Sequence, residues 1–254
     1  MTNIFSKLFP GKKKELFFER DMSPDKSRKL KNEIKENLKI IDEYLNDCED
    51  VIVRDFYMGT AKRQQMSVIY IDGLADKAII HDHILKPLML YTRQITPEYH
   101  LGSKFFHMIK EGIITAEDVK EADNFGEIIM AVLSGDTVLL VDKQEKAMVI
   151  SSRGWDQRSI SEPATEAVIR GPRDSFTENY RTSIAQIRRR IKDPNLKIQY
   201  ITLGRYTRTT VGILYIRGIA KPTIVDEVLK RLNTIDTDRV LESGHIEQLI
   251  GGDW

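Results

Sequence analysis

The feature that most constrains the fold of this chain is an internal repeat. Residues 51–75 align without a gap on residues 196–220, an offset of 145 (196 minus 51). Each copy holds two segments rich in β-branched and aromatic residues, separated by a polar turn, which predicts a β-hairpin. The shared residues pair as Gly59 with Gly204, Arg63 with Arg208, Tyr70 with Tyr215, Gly73 with Gly218 and Ala75 with Ala220. A repeat of this kind predicts two structurally similar units.

An amphipathic helix is predicted before each hairpin. In the first copy, Ser23-Pro24 fits a helix start, and apolar residues then recur with helical spacing at Leu30, Ile34, Leu38, Ile41 and Leu45. In the second copy, residues 175–178 have the pattern of a capping box, and Asp193-Pro194 would stop the helix near Ile191. Each unit is therefore predicted as helix, strand, strand, helix.

The fold class predicted is α/β of the mixed α+β kind, with two similar subdomains, each a small mixed sheet with flanking helices. We expect a flexible basic tail at 1–22, a first subdomain at 23–120 and a second at 121–254. The second would include a further hairpin at 137–150 and an arginine-rich connector at 151–174. The second copy of the repeat reaches Trp254 before any such hairpin, so we expect this chain to be part of a longer polypeptide.

The N-terminal tail combines a few apolar residues over 4–9 with a lysine triplet at 12–14. It has neither the apolar core of a signal peptide nor a glycine at position 2 for myristoylation. A weak interfacial anchor is one interpretation, and a solvated tail is the one we favour. The longest apolar run in the chain spans residues 128–133, far short of the roughly 20 residues of a membrane helix. The single cysteine, Cys48, cannot form an internal disulfide.

Positive charge is concentrated in residues 151–192, which hold eight arginines and one lysine against five acidic residues, a local net charge of +4. Nucleic-acid binding is disfavoured, because the arginines at 188–190 would fan out around a helix and no recognition motif accompanies them. An anion site before the capped helix, at residues 170–173, is a second interpretation. The third, which we favour, is that arginines join two domains by pairing with acidic residues. These would be Arg153, Arg158, Arg170 and Arg173 with Glu162, Glu166, Asp174 or Glu178.

This connector resembles the signature of the A subunit of spore germinant receptors, the GerA family. The residues that carry the resemblance are Arg158, Glu162-Pro163, Glu166, Arg170-Gly171-Pro172-Arg173, Phe176-Thr177-Glu178 and Arg188-Arg189-Arg190-Ile191-Lys192. The hairpin at 137–150 and the strand end at Tyr215-Ile216-x-Gly218 also fit. The resemblance extends over about residues 20–250.

The resemblance implies a soluble N-terminal region that precedes a membrane-spanning part. The receptor complex would lie in the spore inner membrane together with B and C subunits, and it would respond to nutrients by releasing ions. The lack of a signal peptide favours the cytoplasmic, spore-core side for this domain.

Catalytic motifs are missing from the sequence. It contains no G-x-G-x-x-G, no P-loop, no G-x-S-x-G and no H-E-x-x-H. His81 and His83 would point apart on a helix, so they do not predict a metal site. We therefore expect no enzyme activity, no cofactor, no metal and no nucleic-acid partner.

Two functions stay open. The first is a role in receptor assembly and signal transduction. The alternative is binding of a small polar nutrient in a cleft between the subdomains. The candidate inter-subdomain, ligand or signalling residues are Arg153, Arg158, Glu162, Glu166, Arg170, Gly171, Pro172, Arg173, Glu178 and Arg188.

Overall fold

Two antiparallel sheets of unequal size organise the fold. The computed structural model describes residues 24–58, 64–91, 103–154, 176 and 179–251. The helices are α1 (Ile34–Leu45), α2 (Lys77–Ile79), α3 (Lys86–Tyr91), α4 (Ser103–Met108), α5 (Phe125–Leu133), α6 (Tyr180–Arg190), α7 (Pro222–Thr234) and α8 (Ser243–Ile250). Two π-helical segments, Ile80–Leu85 and Ile109–Ile113, adjoin α2, α3 and α4. The strands are β1 (Val51–Met58), β2 (Gln64–Ile71), β3 (Val119–Ala122), β4 (Thr137–Val141), β5 (Ala147–Ile150), β6 (Leu196–Leu203) and β7 (Thr209–Ile216).

The larger sheet has the strand order β1-β2-β4-β5-β3, and every neighbouring pair is antiparallel. Its two faces are buried in separate cores, with α1, α5 and part of α6 on one side and the helical residues 77–91 and 103–113 on the other. Neighbouring residues of β2 point to different cores: Ile69 belongs to the first core and Val68 to the second. This explains why all five residues of β4 are buried. A strand covered on both faces is mostly apolar, and the one polar residue of β4, Thr137, forms a hydrogen bond with Ser152.

The smaller sheet consists of β6 and β7, and α7 and α8 contribute to a third core beside it. Its strand register matches that of β1 and β2, since Val51 faces Ile71 in one hairpin and Leu196 faces Ile216 in the other. Both hairpins end at a glycine in the left-handed region, Gly73 with φ 86° and Gly218 with φ 87°. Glycine adopts this conformation without the steric cost that other residues meet.

The predicted mixed α+β fold is confirmed, and the structure corrects its details. The predicted hairpin at 137–150 forms as β4 and β5, but β4 pairs with β2. The hairpin therefore belongs to the sheet of the first unit, and a boundary at 120/121 would cut that sheet. Neither described sheet is mixed, because all their strand pairs are antiparallel. The sequence pattern could not show this, because pairing between distant strands leaves no local signal.

Two predicted helix starts are wrong. Helix α1 begins at Ile34 and not near Pro24, because the preceding chain pairs with residues 123 and 124: the Leu30 N–H donates to the Asp123 carbonyl (2.9 Å). The first amide of α1 donates to Asp142 Oδ1 (3.1 Å), from the turn after β4. Helix α6 begins at Tyr180 with Asn179 as its N-cap, and residues 175, 177 and 178 of the predicted capping box lie outside the described residues. Its predicted end near Ile191 is confirmed.

The basic tail lies outside the described residues. Within the described ranges, no helix combines the length and the apolar character needed to cross a membrane.

Candidate functional site

The two sheets are joined where the chain passes from α1 into β1. Residues 47–49 run beside β6 as a short parallel partner, with Cys48 opposite Ile198. The Glu49 N–H donates to the Ile198 carbonyl and the Ile198 N–H donates to the Asp47 carbonyl, both at 2.9 Å. The segment therefore contacts the edge of the small sheet through an isolated parallel bridge before it enters the large sheet. We call this region, with the side chains packed on it, the junction.

A buried ion pair lies at the centre of the junction. Arg188 on α6 is fully buried, and its Nε and Nη2 donate to Asp50 Oδ2 and Oδ1 at 2.8 and 2.9 Å. The Arg188 side chain has 0% and the Asp50 side chain 1% of its surface exposed. Burial by itself lowers the pKa of Arg188, but the hydrogen bonds and charge of Asp50 outweigh it, and the pKa is raised. The pair links α6 to the start of β1.

A second buried cation, Lys197 on β6, reaches the end of α1. Its Nζ donates to the carbonyls of Tyr44 (3.0 Å) and Asn46 (2.8 Å) and to Asn46 Oδ1 (3.2 Å). Carbonyls at a helix C-terminus carry partial negative charge, which favours a cation there. Burial is the main reason that the pKa of Lys197 is lowered from its ordinary value. The ammonium thus holds the C-terminus of α1 against the small sheet.

Arg217, at the end of the second hairpin, reinforces this contact from the solvent side. Its Nη1 donates to Asn46 Oδ1 (2.9 Å) and its Nη2 to Asp47 Oδ2 (2.6 Å). The side chain keeps 28% of its surface exposed. Arg217 is therefore a polar contact between the two units that can be removed without burying an unpaired charge.

Helix α6 is packed against both units. Ala185 belongs to the core of the large sheet, and a Cβ placed at Gly73 would lie 3.3 Å from its Cβ. On the side of the small sheet, a Cβ at Gly212 of β7 would lie 3.1 Å from Ile184 Cδ1. The small residues at these positions allow the close approach. A shift of α6 would therefore disturb both sheets.

Arg153 pairs with an acidic residue that the sequence did not single out. Its Nε and Nη2 donate to Asp136 Oδ1 and Oδ2 at 2.8 and 2.7 Å. The hydrogen bonds of Asp136 are the main reason that the pKa of Arg153 is raised. This bidentate ion pair joins the end of β5 to the start of β4, within the large sheet. The expected partners in the connector do not include Asp136.

Of the predicted site residues, the structure describes Arg153 and Arg188 and does not bring them together in one site. The others lie outside the described residues: Arg158, Glu162, Glu166, Arg170, Gly171, Pro172, Arg173 and Glu178. Sequence reasoning missed Asp50 and Lys197. For Lys197 the sequence offered one signal: the lysine lies between Leu196 and Ile198, at the otherwise apolar start of β6.

The junction uses its charged groups to hold elements together. Cys48 is buried there, and burial raises the pKa of its thiol, which disfavours the reactive thiolate. Over the described part of the chain, no cluster of three or more histidine, cysteine or acidic residues could hold a metal. These features define an α+β domain whose two sheets are joined through buried polar contacts.

The comparison with protein families identifies the domain. The family model described as "Bacillus/Clostridium GerA spore germination protein" matches residues 39–254. This chain therefore belongs to the GerA family, which confirms the resemblance seen in the sequence.

Individual relatives agree with this assignment. The chain is 35% identical to spore germination protein KA of Bacillus subtilis (strain 168) over 206 residues, which cover 81% of this chain and 37% of the relative. It is 33% identical to spore germination protein GerLA of Bacillus cereus, over 87% of this chain and 44% of the relative. The chain thus spans less than half the length of these relatives.

A solved structure matches the fold. It is the crystal structure of the N-terminal domain of the A subunit of the Bacillus megaterium spore germinant receptor GerK3, with a TM-score of 0.66 and 33% sequence identity. The match covers 87% of this chain and 79% of that one. These similarities support a role of the chain in spore germination.

Proposed function

We propose that this chain is the N-terminal part of the A subunit of a nutrient germinant receptor, and that it acts in receptor assembly and signal transduction. Movement of one unit has to reach the other if a domain of this kind is to transmit a signal. The observation that carries the proposal is the buried Arg188–Asp50 pair between α6 and the start of β1. A contact of this kind favours concerted movement, because separating the partners would leave a buried charge unpaired.

The proposed partners are the B and C subunits, with the membrane reached through a further part of the polypeptide. We place the domain at the spore inner membrane, on the cytoplasmic, spore-core side. This placement rests on what the family resemblance implies.

Nutrient binding between the units is the alternative, and the described junction favours it less. Its central positions are filled by Arg188 and Lys197, whose polar atoms are already bonded to protein groups. Arg153, one of the arginines expected to line a cleft, has its guanidinium on Asp136.

The proposal is tested with a variant of the full-length subunit that lacks one polar contact of the junction. Arg217→Ala removes the exposed contact to Asn46 and Asp47 and leaves the buried pair intact. We expect spores with this variant to lose optical density more slowly after nutrient addition, at an unchanged receptor level on quantitative immunoblots. The matched control is Arg205→Ala, which breaks an exposed fork to Asp236 within the second unit. Equal, normal responses of both variants would contradict the signalling role.

A thermal-shift measurement separates the two functions. A ligand that binds the folded state raises its melting temperature by linkage. If the chain only transmits a signal, nutrients at millimolar concentration leave its melting temperature unchanged. A rise of several degrees with one nutrient would establish binding and replace the signalling proposal.

A further inference from the structure

A groove of about 470 Å³ lies between α1 and the start of β1. Its apolar floor is formed by Leu38, Ile41 and Leu45 of the helix and by Val51 and Val53 of the strand. Val53 is 48% exposed although its cross-strand neighbour Ile69 is fully buried. The apolar surface of the first core therefore continues into this groove and meets solvent there.

The groove lies beside β1, the edge strand of the large sheet among the described strands. Strand β1 is the first strand of the large sheet, and no described strand pairs with its outer side. Tyr57, farther along the same strand, is 56% exposed. Open edges with apolar side chains are ready positions for another chain segment.

The rim of the groove is acidic. Asp42, Asp47 and Glu49 line it, and none of the described residues that line the groove is a lysine, arginine or histidine. Asp47 is held by Arg217, and Glu49 accepts a hydrogen bond from the Tyr200 N–H. Asp42, on α1, is exposed. A segment that fits this groove must therefore carry both apolar side chains and positive charge.

The N-terminal segment of the same chain has this composition. Residues 4–14 read IFSKLFPGKKK, with four lysines and no acidic residue. Their apolar residues are Ile4, Phe5, Leu8 and Phe9. The segment is thus complementary to the groove in charge and in apolar character.

The tether is long enough. The described chain starts at Pro24, and Arg28 pairs with Glu43 of α1 at 3.1 Å, so the chain enters the fold beside this helix. The ten residues from 14 to 24 span up to roughly 33 Å when extended, whereas a helix with its side chains is only about 10–12 Å wide. A tether of this length gives an effective concentration of about millimolar order, so even a weak contact is populated.

We propose that the groove between α1 and β1 is an intramolecular docking site for the N-terminal segment 4–14. The apolar residues of the segment cover the floor, and its lysines face Asp42 and the other rim carboxylates. The docked segment shields the open edge of β1. This inference does not depend on the proposed function of the domain.

The experiment uses the full chain with a spin label on the tail. Cys48 is buried, so a nitroxide reagent modifies an introduced Ser6→Cys side chain selectively in the folded protein. We expect the label to cause loss of the amide NMR signals of Leu38 and Val53, with recovery when the nitroxide is reduced. Retention of these signals in the oxidised state would overturn the proposal. Binding of the tail to anionic lipid vesicles in place of such a loss would overturn it equally.

Charge variants test the recognition itself. Asp42→Lys should restore the signals, because it turns an attractive rim charge into a repulsive one. Glu36→Lys is the matched control, since Glu36 is exposed on the same helix but does not line the groove, and it should leave the signal loss in place. When the lysine triplet at 12–14 is also replaced by glutamates in the Asp42→Lys variant, the amide NMR signals should be lost again. Equal signal loss in Asp42→Lys and in the unchanged protein would contradict charge recognition.

A mixed sample separates docking within one chain from docking between chains. It contains isotope-labelled protein without the nitroxide and unlabelled protein that carries it. Docking within one chain predicts full signals at Leu38 and Val53 in this sample. Their loss would show that the tail of a second copy occupies the groove, and the intramolecular proposal would then be wrong.

Discussion

Asp50→Ala removes one partner of the buried ion pair and leaves the Arg188 guanidinium without its carboxylate in a site with no solvent exposure. Breaking such a pair costs about 3–5 kcal/mol, mainly because the remaining charge is desolvated and unpaired. The free energy of unfolding of a typical domain is only about 5–15 kcal/mol. At about 2–4 °C per kcal/mol for a chain of this size, the melting temperature should fall by roughly 6–20 °C.

Urea denaturation followed by circular dichroism measures this loss, with calorimetry for the melting temperature. The matched control is Asp236→Ala, because Asp236 also accepts a fork from an arginine, Arg205, but both side chains are more than 60% exposed. An exposed pair contributes about 0–1 kcal/mol. The double variant Asp50→Leu with Arg188→Met should regain most of the stability, because it leaves no buried charge. A loss for Asp50→Ala as small as for Asp236→Ala would refute the reasoning.

Three further predictions concern single positions. Because burial lowers the pKa of Lys197 in the folded state, the unfolded chain binds more protons, so the free energy of unfolding should rise with pH as the ordinary value of 10.5 is approached. Lys197→Met should abolish this rise in urea denaturation at several alkaline pH values, and an identical pH dependence in the variant would contradict it. Gly73→Ala should cost about 1–2 kcal/mol, because φ is 86° and the new Cβ would lie 3.3 Å from that of Ala185. Its control Gly112→Ala, where no atom lies within 4 Å of the new Cβ, should show no such loss in the same assay. Cys48 should react with a thiol reagent only after unfolding, since its thiol is buried and its pKa raised; rapid labelling of the native protein would show that the thiol is accessible.

Local patterns in the sequence were enough to predict most of the helices and strands. The hairpin at 137–150 was predicted because two apolar segments flank a polar turn, and β4 and β5 lie there. The end of α6 was predicted because Asp193-Pro194 cannot continue a helix. The start of α1 was predicted wrongly because distant residues define it: Asp142 accepts a hydrogen bond from its first amide, and Asp123 pairs with the preceding chain.

The candidate site was predicted only in part for the same reason. Arg188 was named for its place in the family signature, yet its partner Asp50 lies 138 residues away. Lys197 bonds to residues about 150 positions away. A sequence shows that an arginine is present but not which carboxylate folding brings beside it.

The sequence by itself determined the mixed α+β class, the positions of most strands and the family. Hydrophobic periodicity, glycines and turn residues act over a few neighbouring positions, so they can be read along the chain. Only the tertiary structure decided that β4 and β5 join the first hairpin in one sheet, and that Arg188 and Lys197 are buried between the units. Strand order and the burial of charge depend on contacts between residues far apart in the chain, and those contacts exist only once the two units have packed together.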